Sequence, residues 1–367
     1  MNEFVYAIAL SRLSGISLAT ALRLYKQYGS AEAVFSLKEP PEDMPARAGQ
    51  KLMSVLADSE EILKRAQVEL AYCEEKGVQI LTYNDSAYPA LLRECDDAPL
   101  VLFWLGNADL NTSHIVSVVG TRRITEYGKD LCRTFCRDLA TLIPDVLIVS
   151  GLAYGVDIHA HRSCLENGLQ TVASLAHGLD RIYPALHRKT AAQMVKQGGL
   201  LTEYMTQTQP KPENFVRRNR IVAGMSAATV VVESADKGGA LITARLAQDY
   251  NRNVFAFPGR ITDQYSQGCN NLIRDNVAGL INSAEDFVNM MGWQVREKKN
   301  VQRKLFTELT EQENIVCLLI AQDDRKQLNQ LVVESGISVA ALTSLLFDLE
   351  MKGILRPLPG GRYKLLT

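Results

Sequence analysis

Turns that combine glycine with charged residues follow several short apolar runs in the middle of the sequence. In order they are Gly120-Thr121-Arg122-Arg123, Ser150-Gly151-Leu152-Ala153-Tyr154-Gly155, His177-Gly178-Leu179-Asp180-Arg181, Glu203-Tyr204, Glu233-Ser234-Ala235-Asp236-Lys237-Gly238-Gly239 and Pro258-Gly259-Arg260. Glycine lets backbone N–H groups approach a ligand closely, and a helix that begins after the turn adds the positive end of its dipole. One such glycine would usually only make a tight turn. Because five of the six turns contain glycine, we expect them to bind an anion together.

Three arginines lie within four positions in the run Phe215-Val216-Arg217-Arg218-Asn219-Arg220. On a helix they would spread around about half of the surface, so that some of them face the turns. Their guanidinium groups would then clamp phosphates while Asn219 reaches a base or a backbone amide. The alternative is a solvated basic face, or arginines paired with carboxylates such as Glu203 or Glu233. Arg122, directly after the first predicted strand, is expected to bind the same phosphates from the opposite side of the site.

Aromatic side chains near the same turns offer flat faces on which unpaired bases can stack: Tyr127, Tyr154, Tyr183 and Phe215. Stacking of this kind tolerates any base sequence. We therefore predict a nucleic-acid site that needs no metal or other cofactor. Its residues are Gly120, Arg122, Gly151, Arg181, Tyr183, Phe215, Arg217, Arg218, Asn219, Arg220, Lys237, Gly238 and Gly239.

The usual signatures of nucleotide-dependent catalysis are missing from these turns. The first turn is not Gly-x-Gly-x-x-Gly, and no Gly-x-x-x-x-Gly-Lys-Ser/Thr occurs, which argues against dinucleotide binding and against a P-loop. Nucleoside-monophosphate phosphoribohydrolases carry Gly-Gly-x-Gly-Thr-x-x-Glu with a catalytic carboxylate, and here Arg245 occupies that position. An arginine stays protonated and cannot act as a general base. We expect a binding protein, with such a hydrolase as the alternative, because these acids and bases lie near the turns: Asp157, His159, His161, His177, Asp180 and Glu203.

The elements that must position these turns alternate between short β-branched runs and amphipathic stretches from residue 115 onward. The predicted strands are 115–119, 146–149, 171–176, 199–202, 229–233, 254–257 and 280–281. Such alternation predicts an α/β fold, a Rossmann-like doubly wound parallel sheet with helices on both faces. All strand-to-helix turns of a parallel sheet lie at its carboxyl edge, where open α/β folds bind their ligands.

Helical patterns dominate both ends of the chain. Residues 1 to about 80 are predicted to form a small helical domain, and the segment 13–17 (LSGIS) resembles a helix-hairpin-helix turn that has Ser17 in place of its second glycine. At the other end, helices at 311–321, 326–334 and 338–352 precede two short runs around Gly360-Gly361, which predicts a winged helix. Its third helix offers only Lys352 against Asp348 and Glu350, so we expect a partner-binding or structural module there rather than a duplex reader.

Charge is distributed unevenly, although the formal net charge is only −1. Residues 1–113 hold 10 basic and 16 acidic side chains, residues 114–292 hold 19 and 16, and residues 293–367 hold 11 and 9. A polyanion is therefore expected to bind after residue 113.

Composition is that of a folded globular chain, with 47% hydrophobic and 22% charged residues. No basic segment precedes the first apolar stretch and no run reaches the roughly 18 apolar residues of a membrane span, so we expect a cytoplasmic protein without membrane contact. The seven cysteines include no CxxC pair. Cys132 and Cys136 are at helical spacing, but no Cys/His pair completes a metal site.

Seven colinear motifs within residues 83–292 resemble the DNA processing protein A (DprA/Smf) family. They are VSVVGTRRITEYGK, IVSGLAYGVDIHAHR, HGLDRIYPALH, LLTEY, ENFVRRNRIVAGMS, VVVESADKGGALITARLAQDYNRNVFAFPGR and SQGCNNLIRDNVAGLI. The resemblance implies a Rossmann-like DNA-binding domain at 83–292, after a helical domain at 1–82 and before a linker at 293–300 and a winged helix at 301–367.

The function that the resemblance implies is the binding and protection of incoming single-stranded DNA during natural transformation, together with loading of the RecA recombinase. It also implies a homodimer formed through the Rossmann-like domain. It places Gly120, Arg122, Phe215, Arg218, Asn219 and Arg220 at the DNA-binding pocket. The family's Ser-Gly-Ser appears here as Gly238-Gly239-Ala240 after Lys237, which loses hydroxyl groups but keeps a cation beside the turn.

Overall fold

The structure, a computed structural model, describes residues 2–294, 309–322, 326–358 and 361–365. The chain forms two compact units, Met1–Arg296 and Glu297–Thr367. Most of the linker predicted at 293–300 lies outside the described residues; Trp293, at its start, packs edge-on against Phe287 with ring centroids 5.4 Å apart.

Five helices open the first unit. They are α1 (Glu3–Arg12), α2 (Leu18–Tyr28), α3 (Ala31–Phe35), α4 (Ala46–Ala57) and α5 (Glu60–Lys76). Ser17, which replaces a glycine in the predicted helix-hairpin-helix turn, caps α2 by accepting a hydrogen bond from the Thr20 N–H. The apolar sides of these helices share one core with Val101 and Phe103 of the adjoining sheet. The helical layer therefore packs directly onto the sheet.

One sheet of nine strands runs through the first unit in the part of the chain that the structure describes. Its strands are β1 (Gln79–Thr82), β2 (Val101–Gly106), β3 (Ile115–Val119), β4 (Leu147–Ser150), β5 (Gln170–Leu175), β6 (Gly198–Thr202), β7 (Ala228–Val231), β8 (Asn253–Ala256) and β9 (Gly279–Leu280), in the spatial order β1-β2-β6-β5-β4-β3-β7-β8-β9. Strands β3 to β9 pair in parallel, which confirms the predicted doubly wound sheet.

Strands β1 and β2 were not predicted from the sequence, and they extend the sheet antiparallel beside β6. β1 is only four residues long, too short to display an alternating pattern between helix α5 and the following loop. β2 is a continuous apolar run, which periodicity alone does not distinguish from a buried helix segment. Close packing at the β2–β6 join depends on glycine, since a Cβ at Gly199 would lie 2.1 Å from the Trp104 ring.

Helices cover both faces of the sheet. They are α6 (Ala90–Arg93), α7 (Glu126–Leu142), α8 (Val156–Glu166), a 3₁₀ turn (Ala185–His187), α9 (Arg188–Lys196), α10 (Pro212–Gly224), α11 (Gly239–Asp249), α12 (Gln267–Arg274) and α13 (Ala284–Met290). Helices α7, α8 and α13 bury their apolar sides on one face, and α10, α11 and α12 bury theirs on the other. The chain changes direction at β3, which has β4 on one side and β7 on the other. The carboxyl ends of β3 and β7 therefore border a crevice at the topological switch point.

The described residues of the second unit form three helices and a hairpin, the arrangement of a winged helix. They are α14 (Glu311–Gln322), α15 (Leu328–Ser335), α16 (Val339–Met351), β10 (Leu355–Leu358) and β11 (Arg362–Leu365), with β10 antiparallel to β11. Ser338 caps α16, because its side chain accepts a hydrogen bond from the Ala341 N–H. Gly360, part of the predicted hairpin turn, lies outside the described residues.

Neither metal ligands nor a membrane helix stand out in the described residues. No group of three or more His, Cys, Asp or Glu side chains is placed to hold a metal ion there. Within the same residues no single helix is long and apolar enough to cross a membrane, although Leu328–Ser335 and Val339–Met351, which meet at 110°, pass on length and composition as a pair. All seven cysteines are free and buried.

Candidate nucleic-acid interface

A cavity of about 480 Å³ lies where β3, β4 and β7 end, and we call it the switch-point cavity. Helix α10 forms its opposite wall. It brings together nine of the residues predicted from the sequence: Gly120, Arg122, Gly151, Phe215, Arg218, Asn219, Lys237, Gly238 and Gly239. These residues come from four separate segments, and the parallel sheet gathers them because its carboxyl ends share one edge.

The floor of the switch-point cavity is held by the buried side chain of Arg218. Its Nη1 donates to the backbone oxygens of Gly151, at 2.7 Å, and of Ser174. A Cβ at Gly151 would lie 2.2 Å from that nitrogen, so the turn needs glycine for the guanidinium to fit. Burial lowers the pKa of Arg218, and the neighbouring Asp157 carboxylate opposes that shift. Arg218 therefore supports the cavity from beneath and adds positive charge to it.

The rim of the cavity carries a row of one cation and two aromatic rings. The Arg122 guanidinium lies 5.4 Å from the centroid of the Phe215 ring. Tyr183, which does not line the cavity, extends the row with its ring centroid 5.7 Å from that of Phe215. Arg122 is exposed and 47% of Tyr183 is exposed. The row offers charge for a phosphate next to flat faces for bases.

The amino end of α11 forms another wall. Gly238 is the N-cap residue and Gly239 the first helical residue, and a Cβ at Gly239 would meet no atom within 4 Å. The first turn of α11 lines the cavity, so its backbone N–H groups and the positive end of the helix dipole lie at the cavity wall. Lys237, immediately before this turn, is exposed and adds a full positive charge. The wall is suited to a phosphate or another anion.

Four predicted site residues do not line the switch-point cavity: Tyr183, which extends the row at its rim, and the three arginines described next. Arg181 is occupied by its neighbour Asp180, at 2.9 Å, and donates at 2.8 Å to Gln209. Arg217 is 40% exposed and lies 3.6 Å from the Glu203 carboxylate. Arg220 is 6% exposed and donates to the same carboxylate at 2.8 Å.

Arg220 therefore lies apart from the switch-point cavity, and its place in the DNA site stays a prediction. The structure shows the alternative reading, in which this arginine pairs with Glu203, since a buried guanidinium requires a carboxylate or several carbonyl oxygens. Arg12 of α1 donates to the Glu203 backbone oxygen, so Arg12, Glu203 and Arg220 form one cluster. No local sequence signal could have placed Arg12 there, because the two residues are 191 positions apart.

Thr121 and Arg123 of the first predicted turn also line the cavity, although they were not among the predicted site residues. Sequence reasoning missed three further lining residues: Thr243, Gln264 and Tyr265. Gln264 and Tyr265 belong to the loop that follows β8, of which only the opening Pro258-Gly259-Arg260 was noticed in the sequence. Tyr154, an aromatic candidate, packs against His187 with centroids 5.1 Å apart and does not line the cavity.

The acids and bases considered for catalysis mostly serve the fold. The fully buried His161 bonds through Nδ1 to the Thr171 hydroxyl at 2.7 Å, and burial lowers its pKa to about 3. Among the described lining residues Asp157 is the one carboxylate; burial raises its pKa, and it accepts a hydrogen bond from the Ala153 N–H at 3.3 Å. Arg245, at the position of the hydrolase carboxylate, is exposed on α11.

Taken together, the fold and the cavity define a protein with a Rossmann-like sheet, a basic cavity at its topological switch point and a winged-helix unit. The family model of DNA recombination-mediator protein A matches residues 79–292, and that of the DprA winged helix domain matches residues 307–361. The chain belongs to the DNA recombination-mediator protein A (DprA/Smf) family, as the sequence motifs indicated.

Individual relatives agree with this assignment. The chain is 31% identical to Protein Smf of Synechocystis sp. over 99% of both chains. It is 38% identical to DNA processing protein DprA of Streptococcus pneumoniae over 202 residues, which cover 55% of this chain and 70% of the relative.

Two solved structures also match. The structure of DprA from S. pneumoniae superposes with a TM-score of 0.64 at 30% identity, covering 79% of this chain and 98% of that one. DprA of Helicobacter pylori, whose structure concerns a single-stranded DNA binding mode, has a TM-score of 0.53 at 31% identity and covers 58% and 95% of the two chains.

Proposed function

We propose that this protein binds single-stranded DNA at the switch-point cavity, without catalysing a reaction on it. The observation that carries the proposal is the row of exposed Arg122, half-buried Phe215 and exposed Tyr183 beside the amino end of α11. Phosphates of a strand would lie against Arg122, Lys237 and the α11 N–H groups. The bases of the strand would stack on the aromatic rings. Only bases that are not paired in a duplex can stack in this way.

The cellular role we propose is protection of incoming single-stranded DNA during natural transformation and loading of the RecA recombinase onto it, in the cytoplasm. We also propose a homodimer formed through the sheet-containing unit. Membership of the family and the single-stranded DNA binding mode described for the H. pylori relative support this role.

A nucleoside-monophosphate hydrolase is the second candidate function. The observation that favours it is the Asp157 carboxylate in the cavity, whose pKa is raised by burial, as is common for catalytic acids. Against it, the Asp157 carboxylate accepts a backbone hydrogen bond and lies in the field of the buried Arg218.

One pair of measurements separates the two candidates. Titration of the protein with fluorescent oligo-dT should give binding that weakens steadily as salt rises, because phosphate contacts release counterions. Incubation with each nucleoside monophosphate should release no free base by chromatography. Base release that disappears in an Asp157→Asn variant, together with no oligo-dT binding, would replace the binding proposal by the hydrolase.

A further inference from the structure

A second and larger cavity, of about 920 Å³, adjoins the switch-point cavity, and we call it the lateral cavity. It lies between the start of α7 and the loop that joins β8 to α12. Gln264 and Tyr265 line both cavities, so the two are neighbours along the carboxyl edge of the sheet. A strand bound at the first cavity therefore passes close to the second.

The loop that encloses the lateral cavity is fastened at both ends. Near its start, the Asn270 side chain exchanges two hydrogen bonds with the Gly259 backbone, at 3.2 and 3.0 Å. Near its end, the Ser234 N–H donates to the Tyr265 backbone oxygen at 2.7 Å. The cavity is thus preformed, which reduces the entropy lost when a ligand binds.

Tyr127 supplies a fixed aromatic wall. Its hydroxyl donates to the Pro258 backbone oxygen at 2.8 Å, and yet 48% of the residue is exposed. The bond fixes the hydroxyl end of the ring, and the half-exposed residue lines the cavity. A tyrosine held in this way is a platform for a flat ligand.

The charges of the lateral cavity argue against a phosphate as its occupant. Among its described lining residues three are carboxylates, Glu126, Glu233 and Asp263, and one is a cation, Arg260. Lys129, outside the lining, pairs with Glu126 at 2.6 Å. The buried Glu233 is satisfied by Thr125, whose N–H donates to it at 2.9 Å and whose hydroxyl donates at 2.5 Å. Three carboxylates would repel a phosphate. Arg260, Asp263 and Gln264 nonetheless offer both donors and acceptors to the edge of an uncharged polar ring.

We propose that the lateral cavity binds a nucleobase of the same strand whose phosphates lie at the switch-point cavity, with Tyr127 as its stacking partner. This inference rests on the proposed single-stranded DNA binding. The strand would thus be held by phosphate contacts in one cavity and by a base in the next. The mixed donors and acceptors accommodate any base, so the site adds affinity without sequence preference.

The inference is tested by removing the Tyr127 ring from the protein and, separately, the bases from the oligonucleotide. Affinities of the full chain are measured for oligo-dT and for an abasic oligonucleotide of equal length, which keeps every phosphate. Tyr127→Ala should weaken oligo-dT binding about tenfold and abasic binding by less than twofold. Tyr127→Phe keeps the ring and should retain the wild-type ratio of the two affinities, as should Tyr154→Ala, which removes a tyrosine of similar exposure outside both cavities.

The outcomes separate this inference from the function on which it rests. If the wild-type protein shows no salt-dependent binding of oligo-dT, the proposed function itself fails. If it binds, but Tyr127→Ala keeps the wild-type ratio between the two oligonucleotides, the lateral cavity takes no base and the inference alone is overturned. Thermal unfolding checks that the Tyr127→Ala variant is folded. If it is not, Tyr127→Leu, which retains apolar bulk without an aromatic face, replaces it, and the losses expected for the two oligonucleotides are those given for Tyr127→Ala.

Discussion

At the scale of the residue, three arginines of one helix have three different environments. Arg217 is partly exposed, Arg218 is buried under the switch-point cavity, and Arg220 is buried against Glu203. The three side chains are chemically identical. Because a buried charge has lost its water, losing an ion-pair partner costs far more stability for the buried Arg220 than for the exposed Arg217. Substitutions at these arginines, which look equivalent in the sequence, are therefore expected to differ in their effects on DNA affinity and on the free energy of unfolding.

Replacement of Arg220 by alanine should lower the free energy of unfolding by about 3 kcal/mol, because it leaves a buried carboxylate without its nearest partner. Arg217→Ala is the matched control, since it removes a partly exposed arginine 3.6 Å from the same carboxylate and should cost less than about 1 kcal/mol. Urea unfolding followed by tryptophan fluorescence measures both, because Trp104 and Trp293 are in the first unit. Equal effects of the two substitutions would contradict this account of the cluster.

Arg122 should contribute to affinity rather than to stability. Arg122→Ala is expected to weaken oligo-dT binding about tenfold at low salt and to reduce the slope of log affinity against log salt by about 0.7. The control is Arg245→Ala, an exposed arginine of α11 that does not line the switch-point cavity, and its slope should equal that of the wild type. Fluorescence anisotropy over a salt series gives both values. Indistinguishable slopes for the two variants would show that Arg122 makes no phosphate contact.

At the scale of the element, the turns after β3, β4 and β7 decide how closely the backbone approaches the cavity. Gly120 is tightly enclosed, since a Cβ there would lie 2.3 Å from the Val156 side chain and 2.8 Å from the Glu233 backbone oxygen. Gly239, at the start of α11, faces open space. Two glycines of the same predicted site therefore have different reasons to be glycine: one for packing, the other for access to the helix terminus.

Gly120→Ala should destabilise the first unit by about 1 to 3 kcal/mol, because the turn has to move to admit a methyl group. Gly239→Ala should change the free energy of unfolding by no more than about 0.5 kcal/mol. The same urea unfolding experiment compares them. A Gly120→Ala variant as stable as the wild type would mean that the turn is not as tightly packed as its contacts indicate.

The sequence indicated which turns meet at this edge of the sheet, but it did not indicate which arginine side chains line the cavity and which are buried in ion pairs. Nine predicted residues share one cavity, because a parallel sheet necessarily brings its strand-to-helix turns to one edge. The pairing of Arg220 with Glu203 and Arg12 depends on how the amino-terminal helices pack on the sheet, which spacing along the chain does not reveal. Tyr127 was noticed only as one aromatic residue among four; the lateral cavity beside it requires the loop after β8, whose conformation no local pattern fixes.

At the scale of the whole molecule, the two units differ in what they offer to a nucleic acid. The switch-point and lateral cavities both belong to Met1–Arg296. In the second unit, Lys352 at the end of α16 pairs with Glu313 at 2.8 Å, and Asp348 and Glu350 lie close to it in sequence. An acidic helix of this kind is poorly suited to the major groove of a duplex.

Removal of residues 297–367 should therefore leave single-stranded DNA affinity within a few-fold of the full chain. The truncated protein keeps its own apolar cores, which are separate from the cluster of Val316, Leu331 and Leu346 in the second unit. Oligo-dT titration of the two proteins at one salt concentration makes the comparison. A loss beyond about a hundredfold, roughly 2.7 kcal/mol, would assign the main DNA contact to the winged helix.

The central claim is that the carboxyl edge of the sheet binds the strand, and photocrosslinking tests it most directly. An oligonucleotide carrying 5-iododeoxyuridine is irradiated in complex with the full chain, and the modified residues are identified by mass spectrometry. The account predicts adducts on aromatic residues of this edge, Phe215 and Tyr183 first and Tyr127 next to them, with adducts reduced in the Arg122→Ala variant. Adducts confined to residues 309–365 or to the helices of residues 2–76 would contradict it.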